Sequence, residues 1–187
     1  MKKSCKNILQ RILFAFTFTG MLFLSSNSVF AQGATSEVVL HEIEPTQNIN
    51  ELVAEQNSSN LRARRAFGSW FDNGQGPGQL PYQGRWYYSD ILSGYGSGYM
   101  TNINYSWQGN FNGWNNVKVY LFIVNTSGYI VAYADVTNSS SSNLSVPTNT
   151  YPATYDIAFG YIVDVPLEVA IYQGPTFGWV NSTVQYQ

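Results

Sequence analysis

The sequence contains one cysteine, Cys5, and one histidine, His41. Both lie before residue 66, in parts of the chain that carry processing signals. A domain that begins at Ala66 therefore has no Ser-His or Cys-His nucleophile pair, and no zinc site made of nitrogen and sulfur ligands. It also has no disulfide, so its stability must come from an apolar core. We expect neither a cofactor nor a bound metal.

Positive charge is scarce beyond residue 65, where Arg85 and Lys118 are the only basic residues. Six acidic residues oppose them, which gives this part of the chain a net charge of −4. A basic face is the electrostatic requirement for binding phosphate backbones. The sequence therefore excludes a nucleic-acid partner.

The first 31 residues have the organisation of a secretory signal peptide. Lys2, Lys3 and Arg11 make the start basic, and an apolar run covers residues 12–24. A helix of that length spans only about 20 Å, too short for a bilayer core of ~30 Å. Residues 29–31 read Val-Phe-Ala, which suits cleavage by signal peptidase after Ala31. We expect a secreted, extracellular protein without a stable transmembrane segment.

Residues 32–65, called here the acidic segment, contain no Trp, Tyr or Phe. Such a composition buries too little surface to offset chain entropy, so the segment is predicted to be largely disordered. One short helix is indicated near residues 46–55. The segment ends in a basic cluster, Arg62, Arg64 and Arg65. This cluster predicts a pro-segment cut after Arg65 by a basic-site protease, and the alternative is a solvated linker.

All five Trp and all fourteen Tyr lie in residues 66–187, a normal length for one domain. Apolar residues alternate with polar ones over residues 99–108 and 155–163, and residues 117–124 are almost continuously apolar. About seven short strands are predicted, at 85–91, 99–108, 117–124, 129–136, 155–163, 167–172 and 179–186. The fold class is all-β, an antiparallel β-sandwich, with a small β-barrel as the alternative.

Two stretches of this domain read as something other than regular strand. Residues 68–98 are rich in glycine and aromatics, which indicates irregular loop or a loosely paired edge strand. Residues 138–143 (NSSSSN) are predicted to form a polar loop. Residues 125–128 (NTSG) form the predicted turn of a hairpin between the strands on either side.

Exposed aromatic rings and amides are the candidates for ligand binding, because sugar rings stack on aromatic faces and amides hydrogen-bond sugar hydroxyls. The sharpest cluster is the stretch 107–114 (WQGNFNGW), where Trp114 is the ring most expected outside the core. Gln83, Asn115 and Asn116 lie near these candidates in the sequence. The candidate ligand-binding residues are Trp70, Trp86, Tyr87, Tyr88, Trp107, Asn110, Asn112 and Trp114.

No catalytic residue is assigned, and we expect no enzyme activity. The one enzymatic alternative is a glycosidase, which needs two carboxyl groups about 5–9 Å apart. Asp156 and Asp164 share a strand face, but their eight-residue separation puts them more than about 20 Å apart. Asp164 and Glu168 flank Pro166 and can converge at a bend.

Export, a removable segment and the missing catalytic groups favour an antimicrobial, bacteriocin-like or toxin-like effector. It would be released by cleavage after Arg65 and act by binding a receptor or glycan on a target cell. The first alternative is a secreted glycan- or cell-wall-binding module, similar in action to a lectin. The second is an extracellular matrix or adhesin component that assembles through exposed strand edges.

Overall fold

The structure is a computed structural model that describes residues 38–42, 48–49, 65–66 and 68–187. The predicted signal peptide with its cleavage position at Ala31 lies outside the described residues. So do Arg62 and Arg64 of the basic cluster, and all of the predicted short helix except Asn48 and Ile49. Secretion and both cleavage events therefore stay predictions.

The described residues form twelve β-strands. Their bounds are β1 His41–Glu42, β2 Arg65–Ala66, β3 Ser69–Gln79, β4 Tyr82–Gln83, β5 Tyr87–Tyr88, β6 Met100–Asn110, β7 Val117–Val124, β8 Ile130–Asp135, β9 Ser141–Ser145, β10 Asp156–Val163, β11 Val169–Ala170 and β12 Thr176–Tyr186.

The strands form two five-stranded sheets in which every described pairing is antiparallel. The first sheet has the order β1-β8-β7-β10-β5, and the second has the order β2-β3-β12-β6-β9. A small pair, β11 with β4, stands apart from both. Within the described residues neither sheet closes on itself. The predicted β-sandwich is therefore confirmed, and the alternative of a small β-barrel is not.

The core lies between the two sheets and takes every second residue from the long strands. From the first sheet it receives alternate residues of β7 and β10, and from the second alternate residues of β6 and β12. The central members are Ile103, Tyr105, Val119, Leu121, Ile123, Ile157, Phe159, Tyr161, Val180 and Val184. The alternation that predicted strands in β6 and β10 is therefore the alternation that fills the core.

The outer face of the first sheet is apolar as well. Phe122 and Val124 of β7 lie there with Tyr88, Ile130 and Ala158 in a second buried cluster. This explains why residues 117–124 are apolar at almost every position, since a strand covered on both faces has no wet side.

Several predicted strands agree closely with the structure. Residues 117–124 form β7 with the predicted bounds, and β7 pairs with β8 across the predicted turn. In that turn, Gly128 donates its N–H to the carbonyl oxygen of Asn125 at 2.8 Å. The segment predicted at 85–91 shrinks to Tyr87–Tyr88, and that at 167–172 shrinks to Val169–Ala170.

Two of the sequence-based interpretations need correction. The glycine-rich stretch contains β3, an eleven-residue strand that pairs with both β12 and β2. Close packing requires two of its glycines, since a Cβ on Gly76 would lie 2.6 Å from the carbonyl oxygen of Gly178 and one on Gly74 would lie 2.7 Å from the Cβ of Asp90. The third, Gly78, has a positive φ of 74°, which favours glycine. The polar stretch 138–143 also overlaps a strand, because β9 pairs with β6 through its backbone while only Leu144 buries its side chain fully.

Parts of the acidic segment lie against this sandwich. His41 and Glu42 pair with Tyr133 and Ala132 of β8, and the side chain of Ile49 is fully buried in the outer cluster. These residues therefore belong to the folded unit in the uncut chain. Whether the segment is later removed stays a prediction.

No helix among the described residues combines the length and the apolar character that crossing a bilayer requires.

The burial of Trp70 generates a stability prediction. Its side chain is 2% exposed and its indole N–H donates to the carbonyl oxygen of Ala153 at 3.0 Å. Trp70→Ala should lower the free energy of unfolding by about 3–5 kcal/mol, the range for large core truncations. Urea denaturation followed by circular dichroism measures this change.

Trp179 is the matched control, because its side chain is 44% exposed. Trp179→Ala should change the free energy of unfolding by about 0.5 kcal/mol or less, as surface substitutions do. Equal losses for the two variants would contradict the assignment of Trp70 to the core.

Candidate binding site

The loop between β6 and β7, residues 111–116, joins the two sheets at one end of the sandwich. It turns at Asn112 and Gly113, whose φ angles are 51° and 82°. The N–H of Trp114 donates to the carbonyl oxygen of Phe111 at 2.9 Å and closes the turn. Two successive positive φ angles define a type I′ turn, which the sequence Asn-Gly favours.

Long-range hydrogen bonds fix this loop to the chain just before β12. The Asn112 side-chain amide donates to the carbonyl oxygen of Gly174 at 2.8 Å, and the Trp114 indole N–H donates to that of Gln173 at 3.3 Å. Asn110 supports the turn from within, since its Oδ1 accepts the Asn112 N–H at 2.9 Å. The side chains of Asn110 and Asn112 therefore stabilise the conformation of the loop.

A cleft of about 350 Å³ opens beside Trp114, and we call it the Trp114 cleft. Its lining residues are Gln83, Asn112, Gly113, Trp114, Asn115, Asn116, Val163 and Val165. Among the described residues, no partner accepts or donates a hydrogen bond at the side chains of Gln83, Asn115 and Asn116. A half-buried indole beside three available amides can bind a neutral, hydroxyl-rich ligand.

A second cleft of about 530 Å³ opens beside Phe111, the first residue of the same loop. Its wall also includes Asn110 and three residues of the β8–β9 connection, Thr137, Asn138 and Ser140. Phe111 stacks on Trp107 with ring centroids 5.9 Å apart, and Trp107 donates its indole N–H to the carbonyl oxygens of Val136 and Ser139. Trp107 is therefore the buried base of this cleft, and its polar atom is already engaged.

The eight predicted ligand-binding residues divide into three groups. Trp70, Tyr87 and Trp107 are buried in the central core, where their rings support the fold. Trp86 and Tyr88 lie on the outer face of the first sheet, with Tyr88 buried and Trp86 37% exposed. Asn110 ends β6 and lies beside Asn112 and Trp114 of the loop 111–116, and only this group borders both clefts.

The outer face carries aromatic rings that the ligand-binding prediction did not include. The ring of Trp86 lies 5.4 Å from that of Tyr120, and Tyr120 lies 5.9 Å from Tyr133. His41 stacks on Tyr133 at 5.1 Å. The sequence indicates an apolar outer face only through the apolar residues on both faces of 117–124. Which rings meet on that face depends on the order of the strands in the sheet.

The glycosidase alternative stays a prediction, and the carboxylates of the described residues make the following contacts. Glu168 forms a 2.8 Å ion pair with Arg85 at the surface. Around residues 89–94 the structure instead gathers Asp72, Asp90 and Asp156, whose oxygens accept backbone N–H groups of Ser93, Gln75 and Gly94 at 2.8–2.9 Å. These bonds hold the loop in place. The described residues contain no group of three or more His, Cys, Asp or Glu side chains placed to hold a metal ion.

The described residues thus define an antiparallel β-sandwich whose loop end carries two clefts, of which the Trp114 cleft is the more polar. No protein-family model and no curated protein matches the chain. A solved structure, the crystal structure of FLHE, is similar in fold with a TM-score of 0.51 and 21% sequence identity. The similarity covers 64% of this chain and 96% of FLHE. It supports the architecture and carries no activity from one protein to the other.

The buried carboxylate of Asp156 generates a pH prediction. Burial is the main cause that raises its pKa to about 6, and the nearby charge of Asp72 adds to the effect. Because the folded pKa lies above the unfolded value, the folded state holds an extra proton between about pH 4 and 6. The free energy of unfolding should therefore fall as pH rises through this window.

Asp156→Asn removes this titration while the amide oxygen can still accept the Gly94 N–H. The variant should be more stable than the wild type at pH 7, by about 2 kcal/mol, and should lose this advantage below about pH 4. Urea unfolding from pH 4 to 8 measures both effects. Asp164→Asn, at an exposed carboxylate, is the control and should keep the wild-type profile. A profile for Asp156→Asn parallel to the wild type would contradict the argument.

Proposed function

We propose that this protein is a secreted, non-enzymatic binding protein that recognises glycans through the Trp114 cleft. The observation that carries this proposal is the cleft itself, which places the Trp114 ring beside the amides of Gln83, Asn115 and Asn116. Sugars present apolar C–H faces and hydroxyl edges, so one aromatic ring and several amides match both parts of the ligand.

The rigidity of the loop also supports this function. Two hydrogen bonds to residues 173 and 174 and the type I′ turn fix Trp114 before a ligand arrives. Preorganisation lowers the entropy lost on binding. The acidic surface is compatible with neutral glycans and unfavourable for general lysis of anionic membranes.

Retention on isolated cell walls and insoluble polysaccharides tests the proposal. Trp114→Ala should weaken retention by about tenfold or more, as expected when a central aromatic contact is lost. Asn115→Ala and Asn116→Ala should each weaken it less. The measurement is the bound fraction against protein concentration in a pull-down.

Trp179→Ala is the matched control, since Trp179 is an exposed tryptophan that does not line the cleft. Its retention should equal that of the wild type. If Trp114→Ala is folded and is retained as well as the wild type, the Trp114 cleft is not the binding site.

A second candidate function is a latent effector, antimicrobial or toxin-like, that is released by cleavage after Arg65. The observation that favours it is the contact of His41, Glu42 and Ile49 with the first sheet, because removal of the acidic segment would uncover that surface. The Arg65–Ala66 bond lies in β2, a two-residue edge strand, and a short edge strand frays easily.

Processing tests this second function. The double substitution Arg64→Gln and Arg65→Gln should abolish the product that starts at Ala66, because the protease loses its basic recognition residues. Intact mass and N-terminal sequencing of the secreted protein measure processing, and growth of neighbouring strains measures the effector activity. A wild-type product that starts at Gln32, with its arginines intact, would contradict the latent-effector function.

A further inference from the structure

We propose that the outer edge of β8 and the apolar cluster beside it form a peptide-docking groove. Residues 41–42 and 48–49 of the same chain occupy this groove, and cleavage after Arg65 opens it to an extended segment of another protein. The fitting segment pairs with β8 and inserts one branched apolar side chain into the cluster. The inference rests on the second candidate function only for the release step.

The backbone of the groove is the stretch 127–133, the turn and first half of β8. His41 and Glu42 pair with it in antiparallel register, and Asn48 makes an antiparallel bridge to Tyr129. The N–H of Ile49 donates to the carbonyl oxygen of Gly128 at 2.7 Å. A strand edge that already accepts one chain segment in this way can accept another of similar shape.

The side-chain socket is the second buried cluster. Ile49 is fully buried there, in the company of Tyr88, Phe122, Val124, Ile130 and Ala158. These five residues come from the four strands β5, β7, β8 and β10. Without Ile49 the socket exposes aromatic and aliphatic surface on a sheet face, which is the surface that recruits a replacement.

Two side-chain contacts at the start of the segment complete the fit. His41 stacks on Tyr133 at 5.1 Å, on the outer face. The hydroxyl of Tyr151, a residue of the central core cluster, donates to the Glu42 carboxylate at 3.2 Å. The segment therefore matches the groove at its backbone, at an apolar anchor and at two polar positions, as a specific peptide ligand does.

A trans-binding experiment tests the groove in the full secreted chain. The probe is a synthetic, fluorescently labelled peptide of residues 37–50, titrated against the protein and followed by anisotropy. The wild-type chain should not bind it, because its own segment fills the groove. The Ile49→Asp chain should bind it, and a peptide that itself carries Ile49→Asp should bind about tenfold more weakly or worse.

Val39→Asp is the matched control in the same segment, since Val39 is exposed and lies outside the socket. The Val39→Asp chain should behave like the wild type and leave the peptide free. The proposal is overturned if the Ile49→Asp chain has a wild-type near-ultraviolet circular dichroism spectrum and still fails to bind. Equal binding by the wild-type chain also overturns it.

A second measurement keeps the proposal testable if Ile49→Asp does not fold. The wild-type chain is cut with trypsin at the basic cluster, and native mass spectrometry follows the cut protein with an excess of the peptide. Uptake of the peptide in place of the segment released by the cut supports the groove. A cut protein that takes up no peptide contradicts the proposal.

These readouts need no target cell and no glycan. If the peptide binds but processing or growth inhibition is absent, the latent-effector function fails and the groove stands. If growth inhibition follows cleavage but no peptide binds, the groove fails and the effector function stands. Dimerisation of the cut protein without peptide binding would show that a second copy, and not a peptide segment, covers the face.

Discussion

The pairing of β7 with β10 is the interaction on which the rest of the structure depends. Eight consecutive residue pairs join the two strands in unbroken register, from Asp156 with Val124 to Val163 with Val117. Both strands carry mostly apolar residues on both faces, so each face needs other residues to cover it. The second sheet covers the inner face, and Trp86 and Ile49 contribute to the cover of the outer face. Burial of an isoleucine side chain contributes about 1.5–3 kcal/mol, so the acidic segment has a physical reason to stay in contact.

The sequence predicts the parts of the fold that local pattern controls. Residues 117–124 have a strand composition along their whole length, and the bounds of β7 follow. The local sequence does not predict β3 as a long regular strand, because glycine lowers strand propensity. Gly74 and Gly76 are explained by close neighbours distant in sequence, such as Asp90, whose Cβ lies 2.7 Å from where a Cβ on Gly74 would be. The local sequence does not predict β9 either, because this serine-rich edge strand is held by backbone pairing with β6.

The candidate site also combines features that the local sequence predicts with features that it does not predict. The Asn112-Gly113 turn and the exposure of Trp114 follow from the local sequence, since Asn-Gly favours a type I′ turn. Trp70 and Trp107 have equally aromatic surroundings in the sequence, and only the packing of the two sheets separates these core rings from a surface ring. The contribution of Gln83 to the Trp114 cleft depends on β4, which is positioned by its pairing with β11. No periodicity or composition indicates that pairing, because each of these strands has two residues.

The two proposed surfaces lie on either side of β7 in the chain and are held by different contacts. The Trp114 loop precedes β7 and is fixed by Gln173 and Gly174. The groove on β8 follows β7 and is filled by residues 41–42 and 48–49. The hydrogen bonds that anchor the Trp114 loop run to residues 173 and 174 and do not involve residues 38–42. Val38 and Leu40 of the acidic segment pack against the central core cluster, and Trp114 packs against the same cluster. Removal of the acidic segment would therefore change the outer face of the first sheet and also the cover of the central core. Cleavage after Arg65 can open the groove on β8 while the Trp114 loop keeps its hydrogen bonds to Gln173 and Gly174.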